Sequence, residues 1–368
     1  MAVLMTDVAR RAGVSVTTVS HVMNQTRQIA PATRARVLAA IEELKYYKNN
    51  SARLLVRGHS DTIGLIISDI ENPFLPELVK SFERAATAAG LELLLGMTNY
   101  EHKKAEAAVR RMIESRVRGV AVMTSQLDGD LVDRLTQADV PVVLLDSPRS
   151  RRLRGGISID YAAGILPAVE HLHQHGHTEV ALLHGPLHVV SAARYFEQLR
   201  EAIVESGMKL VGVVEGDGRP EGGAHGAQVL LSLRRQPTAI LCGNDLTAIG
   251  AMGMAVRMGR SVPGDISIIG CDDIAMASYS QPTLSTVRIP RDAIGQEAFR
   301  MLDKMVTSKS RRGGEAVIAT TFIARGSSGA VRRSARRINS STGSEQPRGL
   351  RLMPSLGQAG SLKGKKTR

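Results

Sequence analysis

The sequence holds no tryptophan, and aromatic residues make up only 3% of it, so any core must be built from aliphatic side chains. It has two cysteines, Cys242 and Cys271. Two thiols cannot form a disulfide framework or a four-cysteine zinc site, and they suit a reducing compartment. No apolar run approaches the ~18 residues that a membrane span needs. The opening stretch MAVLMTDVARRAG sets charges inside any would-be signal core, which predicts a cytoplasmic protein. Neither a Ser/His/Asp set nor a carboxylate pair has an order or spacing that suits catalysis. Gly216-Asp217-Gly218 lacks the surrounding spacing of a phosphate loop. The expectation is a protein that is not an enzyme and carries no cofactor.

What is present is length, an aliphatic core and an uneven charge. A chain of 368 residues, 43% apolar, is long enough for two or three domains. Its net charge is +13. Residues 1–60 carry 9 Lys/Arg against 3 Asp/Glu, net +6, and residues 331–368 carry 10 against 1, net +9. The middle is therefore 13 − 6 − 9 = −2. A near-neutral middle between two basic ends suggests a polyanion partner at the ends, or else a solubilising surface. The last segment is rich in Ser, Gly, Arg and Lys without helical or strand periodicity, which predicts a basic disordered tail over 327–368.

The first residues read as a DNA-reading module. Thr6-Asp7 is expected to cap a short helix with Val8, Ala9 and Ala12 on its inner side. Gly13-Val14 breaks that helix, and Ser15 caps a second one from Val16 to Asn24, with Val19, Val22 and Met23 inward. Two short helices joined by a glycine turn form a helix-turn-helix. Pro31 opens a third helix, with Val37, Leu38, Ile41 and Leu44 expected inward, down to Tyr46. Thr17, Thr18, Ser20 and His21 are left on the outside of the second helix, where short polar groups can reach base edges in a major groove. Arg27, Arg34, Lys45 and Lys48 would hold phosphates.

From Ile63 onward, short β-branched runs alternate with amphipathic helical patterns over some 260 residues. IGLII, LELLL, GVAVM, PVVLL, GISID, VALLH, AILCG and ISIIG read as buried parallel strands. The alternation predicts an α/β fold of doubly wound parallel sheets. Ligands in such sheets bind beyond the carboxyl ends of the strands. That rule selects Asp146, Asn244-Asp245 and Asp272-Asp273 as candidates, each aspartate also being able simply to cap the segment that follows.

The segment TDVARRAGVSVTTVSHVMNQTRQIAPATRARVLAAIEELKYYKNNSARLL resembles the DNA-binding headpiece of the lactose-repressor (LacI/GalR) family, with VSVTTVSHVMNQTR similar to the purine-repressor branch. TIGLIISDIENPFLPELVKSFERAATAAGLELLLG is similar to the start of that family's effector-binding core, and the likeness runs to about Gly326. It implies a helix-turn-helix headpiece over 1–49, a hinge over 50–60, and a two-lobed periplasmic-binding-protein-like core over 61–326. The implied function is a homodimeric transcriptional regulator, most readily a repressor. It would bind a palindromic operator in double-stranded DNA and respond to a small polar effector such as a sugar. A core that only dimerises, or a solute-binding protein, are the alternatives. No membrane partner is expected.

Carried over residue by residue, the resemblance implies DNA contacts from Thr6, Ser15, Val16, Thr17, Thr18, His21, Asn24, Arg27, Tyr46 and Ser51, with Leu55 as the side chain that wedges into the minor groove. Lys48 stands where the family often has a hinge proline, and Val56 where a basic residue often follows the wedge leucine. The implied effector residues are Phe74, after Asn72-Pro73, together with Asp146, Ser191, Tyr195, Asn244 and Asp272. Tyr195 takes the place of an effector-binding arginine, with Arg194 one position early. One helical position turns a side chain by ~100°, so Arg194 is expected to be a poor substitute. Gly218 stands where many relatives carry a stacking aromatic residue. The pocket is thus expected to lack one charge and one platform. His171 and His175 share a helix face, but no acidic or cysteine ligand completes a metal site, and the two cysteines read as small buried filler.

Overall fold

The computed structural model describes residues 3–24, 26–46, 60–124, 127, 129–146, 154–308 and 311–331. The hinge residues Ser51 and Leu55, with Lys48 and Val56, and the tail from residue 332 lie outside the described residues. The chain forms two compact units, Met1–Ser60 and Asp61–Arg368.

Among its described residues the first unit forms three helices, α1 (Met5–Ala12), α2 (Val16–Asn24) and α3 (Pro31–Glu43). Gly13 takes φ +67, a left-handed geometry that only glycine adopts without steric cost, and this ends α1 and starts the turn. Ser15 Oγ accepts the backbone N–H of Thr18 at 3.1 Å, satisfying one of the free donors that open α2. Val8, Val19 and Val37, one from each helix, are fully buried against one another, with Ala9, Ala12, Val22, Ala40 and Tyr46 completing the core. Burying a valine of that kind contributes about 1.5–3 kcal/mol, which a unit this small needs. Two expectations are corrected. The cap of α1 is not Thr6: the helix starts at Met5, Thr6 lies in its first turn, and Asp7 Oδ2 accepts the N–H of Leu4 at 2.9 Å. Leu38 is 48% exposed, and Ala40 takes the inward position instead.

Among its described residues the second unit has two six-stranded sheets. The first runs β11-β5-β4-β3-β1-β2, all parallel, from β1 (Thr62–Ile67), β2 (Glu92–Met97), β3 (Val120–Met123), β4 (Val142–Leu145), β5 (Arg154–Asp160) and β11 (Glu315–Ala319). The second runs β12-β10-β9-β8-β6-β7, from β6 (Glu179–His184), β7 (Lys209–Glu215), β8 (Ala239–Cys242), β9 (Ser267–Asp272), β10 (Ser285–Arg288) and β12 (Thr321–Ile323). Here β12 is antiparallel to β10, which departs from the all-parallel expectation. The central strands β3, β8 and β9 are buried throughout, as β-branched runs covered on both faces should be.

Each sheet is the floor of one lobe, and the chain passes between lobes three times. It crosses at Tyr161, from β5 into the helix Ala162–Gln174, at Ile289-Pro290, from β10 into Arg291–Thr307, and at Thr320, from β11 into β12. The crossings are bonded to each other. Thr320 is 3% exposed, and its Oγ1 donates to the carbonyls of Asp160 at 2.8 Å and Tyr161 at 3.2 Å. The core also runs past the expected boundary at Gly326: Ser327 Oγ donates to the carbonyl of Ile268 at 2.6 Å, and Val331 N–H to that of His175 at 3.0 Å. The histidines of HLHQHGHTEV serve this seam. His171 Nε2 meets Ser328 Oγ at 2.9 Å, and His177 lies between Thr238 Oγ1 at 2.9 Å and the Gly329 carbonyl at 3.0 Å.

Candidate DNA-reading helix and ligand cleft

Helix α2 has an apolar side and an open polar side. Val19 and Val22 face the core, while Ser15, Val16 and Thr17 at its start are exposed. Thr18 is half-buried, and its Oγ1 lies 2.9 Å from Ser15 Oγ. His21 Nδ1 meets Thr26 Oγ1 at 2.8 Å, so the ring is steadied by the loop that follows the helix. Asn24 Nδ2 donates to Ser20 Oγ at 3.2 Å. Thr6 and Arg27 are exposed. An exposed helix start with short hydroxyls and a positioned imidazole is a shape that a major groove admits. Tyr46 is different. It is 7% exposed and belongs to the core of this unit, so its ring packs rather than reaching outward.

In the second unit, a cleft of about 1040 Å³ opens between the lobes at the carboxyl ends of the strands. All six expected effector residues line it: Phe74, Asp146, Ser191, Tyr195, Asn244 and Asp272. Phe74 opens the helix that follows β1, and its N–H donates to Asn72 Oδ1 at 3.0 Å. Asn244 caps the helix after β8. Its Oδ1 accepts the N–H of Thr247 at 2.8 Å, and its Nδ2 donates to the Gly218 carbonyl at 2.8 Å.

Asp146 follows β4 and receives donors from both sides of the cleft. Tyr161 Oη donates to Oδ2 at 2.9 Å, Ile159 N–H to Oδ1 at 3.2 Å, and Arg194 Nη1 to Oδ1 at 3.2 Å. Burial raises its pKa, and these three donors oppose the rise. Arg194, expected to be a poor substitute for an effector-binding arginine, spends its guanidinium on Asp146 and is not among the residues that line the cleft. The cleft wall does carry aromatic rings. Tyr195 is 5% exposed and stands edge-on to Tyr161, ring centres 5.6 Å apart, so two tyrosines and Phe74 give the cleft aromatic surface.

Asp272 ends β9 and is 8% exposed. Its Oδ2 accepts Asn72 Nδ2 from the opposite lobe at 3.3 Å. Burial pushes its pKa up to about 7, against the partial relief given by Asn72 and Arg291. The neighbouring candidates serve the fold. Asp273 meets Arg288 at 2.6 Å and Arg325 at 2.7 Å; burial would raise its pKa, yet these two cations hold it below the usual range. Asp245 is fully buried, accepting Thr286 Oγ1 at 2.5 Å and Ile274 N–H at 2.8 Å.

Sequence reasoning missed Tyr161, although it stands just past the carboxyl end of a predicted strand, where the rule used for Asp146 applies. It also missed the bridge from Arg219 to Glu71 across the cleft mouth, N to O 2.5 Å, which joins residues 148 apart and leaves no trace in spacing. Cys271 lines the cleft and Cys242 is buried beside it in the sheet, both as free thiols.

A helix-turn-helix unit in one chain with a two-lobed core around a polar cleft defines a class: regulators that read DNA with one part and bind a small molecule with the other. Residues 4–49 match the family of bacterial regulatory proteins of the lacI type, and residues 169–328 match the periplasmic binding protein-like domain. Over 323 residues the chain is 37% identical to the HTH-type transcriptional repressor PurR of Erwinia tasmaniensis, spanning 87% of this chain and 95% of that protein. The chain belongs to the lacI family, near its purine-repressor branch. The lac repressor dimer solved with operator and the anti-inducer ONPF has the same fold, with a TM-score of 0.80 at 28% identity over 90% of this chain and 100% of that one. The regulator CelR in complex with cellobiose gives 0.66 at 27% identity, over 88% and 99%. Among the described residues no helix is long and apolar enough to cross a membrane.

Proposed function

We propose that this chain is a cytoplasmic, non-enzymatic repressor that binds a palindromic operator as a homodimer and is modulated by a small polar effector held between its lobes. Each headpiece reads one half-site, because a two-fold dimer matches a two-fold site. Thr17, Thr18 and His21 contact bases. Thr6, Ser15, Val16, Asn24, Arg27 and Ser51 position the duplex, and Leu55 wedges the minor groove. Tyr46 supports this set through packing. The domain plan is a headpiece over 1–49, a hinge over 50–60, a core from 61 through the 327–331 seam, and a basic tail. The effector acts by changing the angle between lobes, which biases the grip on DNA. A coupling of 1–3 kcal/mol shifts operator affinity ~5–150-fold.

The observation that carries this reading is the convergence of Phe74, Asp146, Ser191, Tyr195, Asn244 and Asp272 on one interlobe cleft in a chain that also carries an open helix-turn-helix. Direct polar bonds between the lobes, from Arg194 to Asp146 and Asn72 to Asp272, give a ligand something to rearrange. The experiment is selection of bound DNA from random duplexes with the full purified chain, with and without candidate sugars and nucleosides. A symmetric winning site whose affinity a ligand changes supports the reading. A symmetric site indifferent to every ligand favours a core that only dimerises.

A further inference from the structure

The cleft wall is acidic. Among its described residues are six carboxylates, Asp69, Glu71, Asp146, Asp217, Glu221 and Asp272, and one arginine, Arg219. That arginine is already engaged by Glu71 at 2.5 Å. Two further arginines stand beside the wall and are also engaged. Arg194 is bonded to Asp146. Arg291 gives its Nη groups to the carbonyls of Asp272 at 2.5 Å and Asp273 at 2.8 Å, and its Nε to Glu77 at 2.8 Å. Among the described residues, these arginines are thus spent on protein acceptors.

Asp272 is the carboxylate that this leaves short. It is more than nine-tenths buried and faces the cleft, yet among the described residues its side chain accepts one hydrogen bond, the 3.3 Å contact from Asn72. A carboxylate offers about four lone-pair sites. Burying one with a single long bond is costly unless a donor or a cation completes it, and burial has already raised its pKa to about 7. Aromatic faces are close at hand: Phe74 and Tyr195 line the same cleft, and the Arg291 guanidinium already sits 5.8 Å from the Phe74 ring centre. A cation beside such rings gains a further attraction.

We propose that the effector carries a protonated amine that seats on Asp272, and that the cleft rejects phosphorylated and carboxylated metabolites. The proposal rests on the effector reading above and narrows its ligand class. The ammonium supplies three donors to a carboxylate that has one. A phosphate would meet a wall of like charge whose described cations are occupied.

The test is calorimetric titration of the full chain with two matched sets. One is 6-amino-6-deoxyglucose, glucose and glucose 6-phosphate. The other is 5′-amino-5′-deoxyadenosine, adenosine and adenosine 5′-monophosphate. In the set that fits the cleft, the amine should bind about tenfold tighter than the hydroxyl parent, and the phosphate not measurably. Asp272→Asn should erase the preference for the amine, with its melting transition showing that it is folded. A phosphate that binds as tightly as the amine, or an amine no better than its parent, overturns the charge proposal and leaves the effector reading standing. Binding of none of the six compounds overturns both.

Discussion

Arg194 and Asp146 lie on opposite lobes and meet across the cleft, Nη1 standing 3.2 Å from Oδ1 and 3.4 Å from the Asp146 carbonyl. The Asp146 side chain is 8% exposed and the Arg194 side chain 36%, so water screens this pair only in part. The bond holds one lobe to the other. Arg194→Met keeps the apolar stem and removes the charge. It should cost about 1–3 kcal/mol, because a buried carboxylate loses a donor, and it should loosen the lobes. Small-angle scattering of the unliganded full chain checks this: the radius of gyration should rise, and an unchanged value would remove Arg194 from the interlobe contact.

Asp272 gives a pH dependence whose sign is fixed. Its carboxyl titrates at about 7 in the fold against 3.8 as its ordinary value. The folded protein therefore holds a proton that the unfolded chain releases. Stability falls as pH rises from about 4, and the loss is complete above about 7. Asp272→Asn removes the titrating group. Its melting temperature should exceed that of the parent at pH 8, with the gain shrinking as pH falls to 5. A gain that is equal at both values, or absent at pH 8, would contradict the burial argument.

Gly164 lies where the interlobe crossings press together. A Cβ there would stand 2.6 Å from Val287 Cγ1 and 2.7 Å from Thr320 Oγ1. Gly164→Ala should destabilise by about 1–3 kcal/mol through overpacking, despite alanine's better helix propensity. Denaturant unfolding measures this, and a variant as stable as the parent would show that the crossings yield freely.

Ser15 caps α2 with Oγ on the Thr18 N–H at 3.1 Å. Ser15→Ala should cost about 1 kcal/mol and speed hydrogen exchange in the α2 amides of the full chain. Thr17 is exposed and makes no such bond, so Thr17→Ala should leave exchange alone and relax base preference at one operator position by about 1–3 kcal/mol. If both variants moved only exchange, Thr17 would not contact a base.

The contrast between those two threads through the whole chain. Local chemistry was readable in the sequence. Gly13, Ser15 and the valine spacing predict a helix-turn-helix because each acts within one turn of itself. Eight strands were readable as short apolar runs bounded by glycine, proline or polar residues. The strand Lys209–Glu215 was missed although its burial is much like that of β2, another edge strand; Gly212 interrupts its apolar run and a charge stands at each end. Also missed were β10, β11 and β12, four, five and three residues long, of which β12 reaches β10 through the chain's third crossing between lobes.

The site divides the same way. The rule that ligands sit past strand ends found Asp146, Asn244 and Asp272. It could not tell Asp272 from Asp273, adjacent residues that part only because one faces the cleft and the other meets Arg288 and Arg325. It did not foresee that Arg194 would reach Asp146 on the other lobe, a contact that depends on the length of the side chain. Leu38 and Ala40 were exchanged for a related reason: both fit a helical stripe, and the neighbouring helices decide which faces inward.

The central claim is that an N-terminal helix grips a specific duplex. It is tested most directly by fluorescence anisotropy of the full chain at physiological salt. A selected palindromic duplex is compared with a scrambled one of equal length, each with and without the ligands that bind. The palindrome should be held at least ~10³-fold more tightly in one ligand state. Equal affinity for the two duplexes in every ligand state would contradict the account.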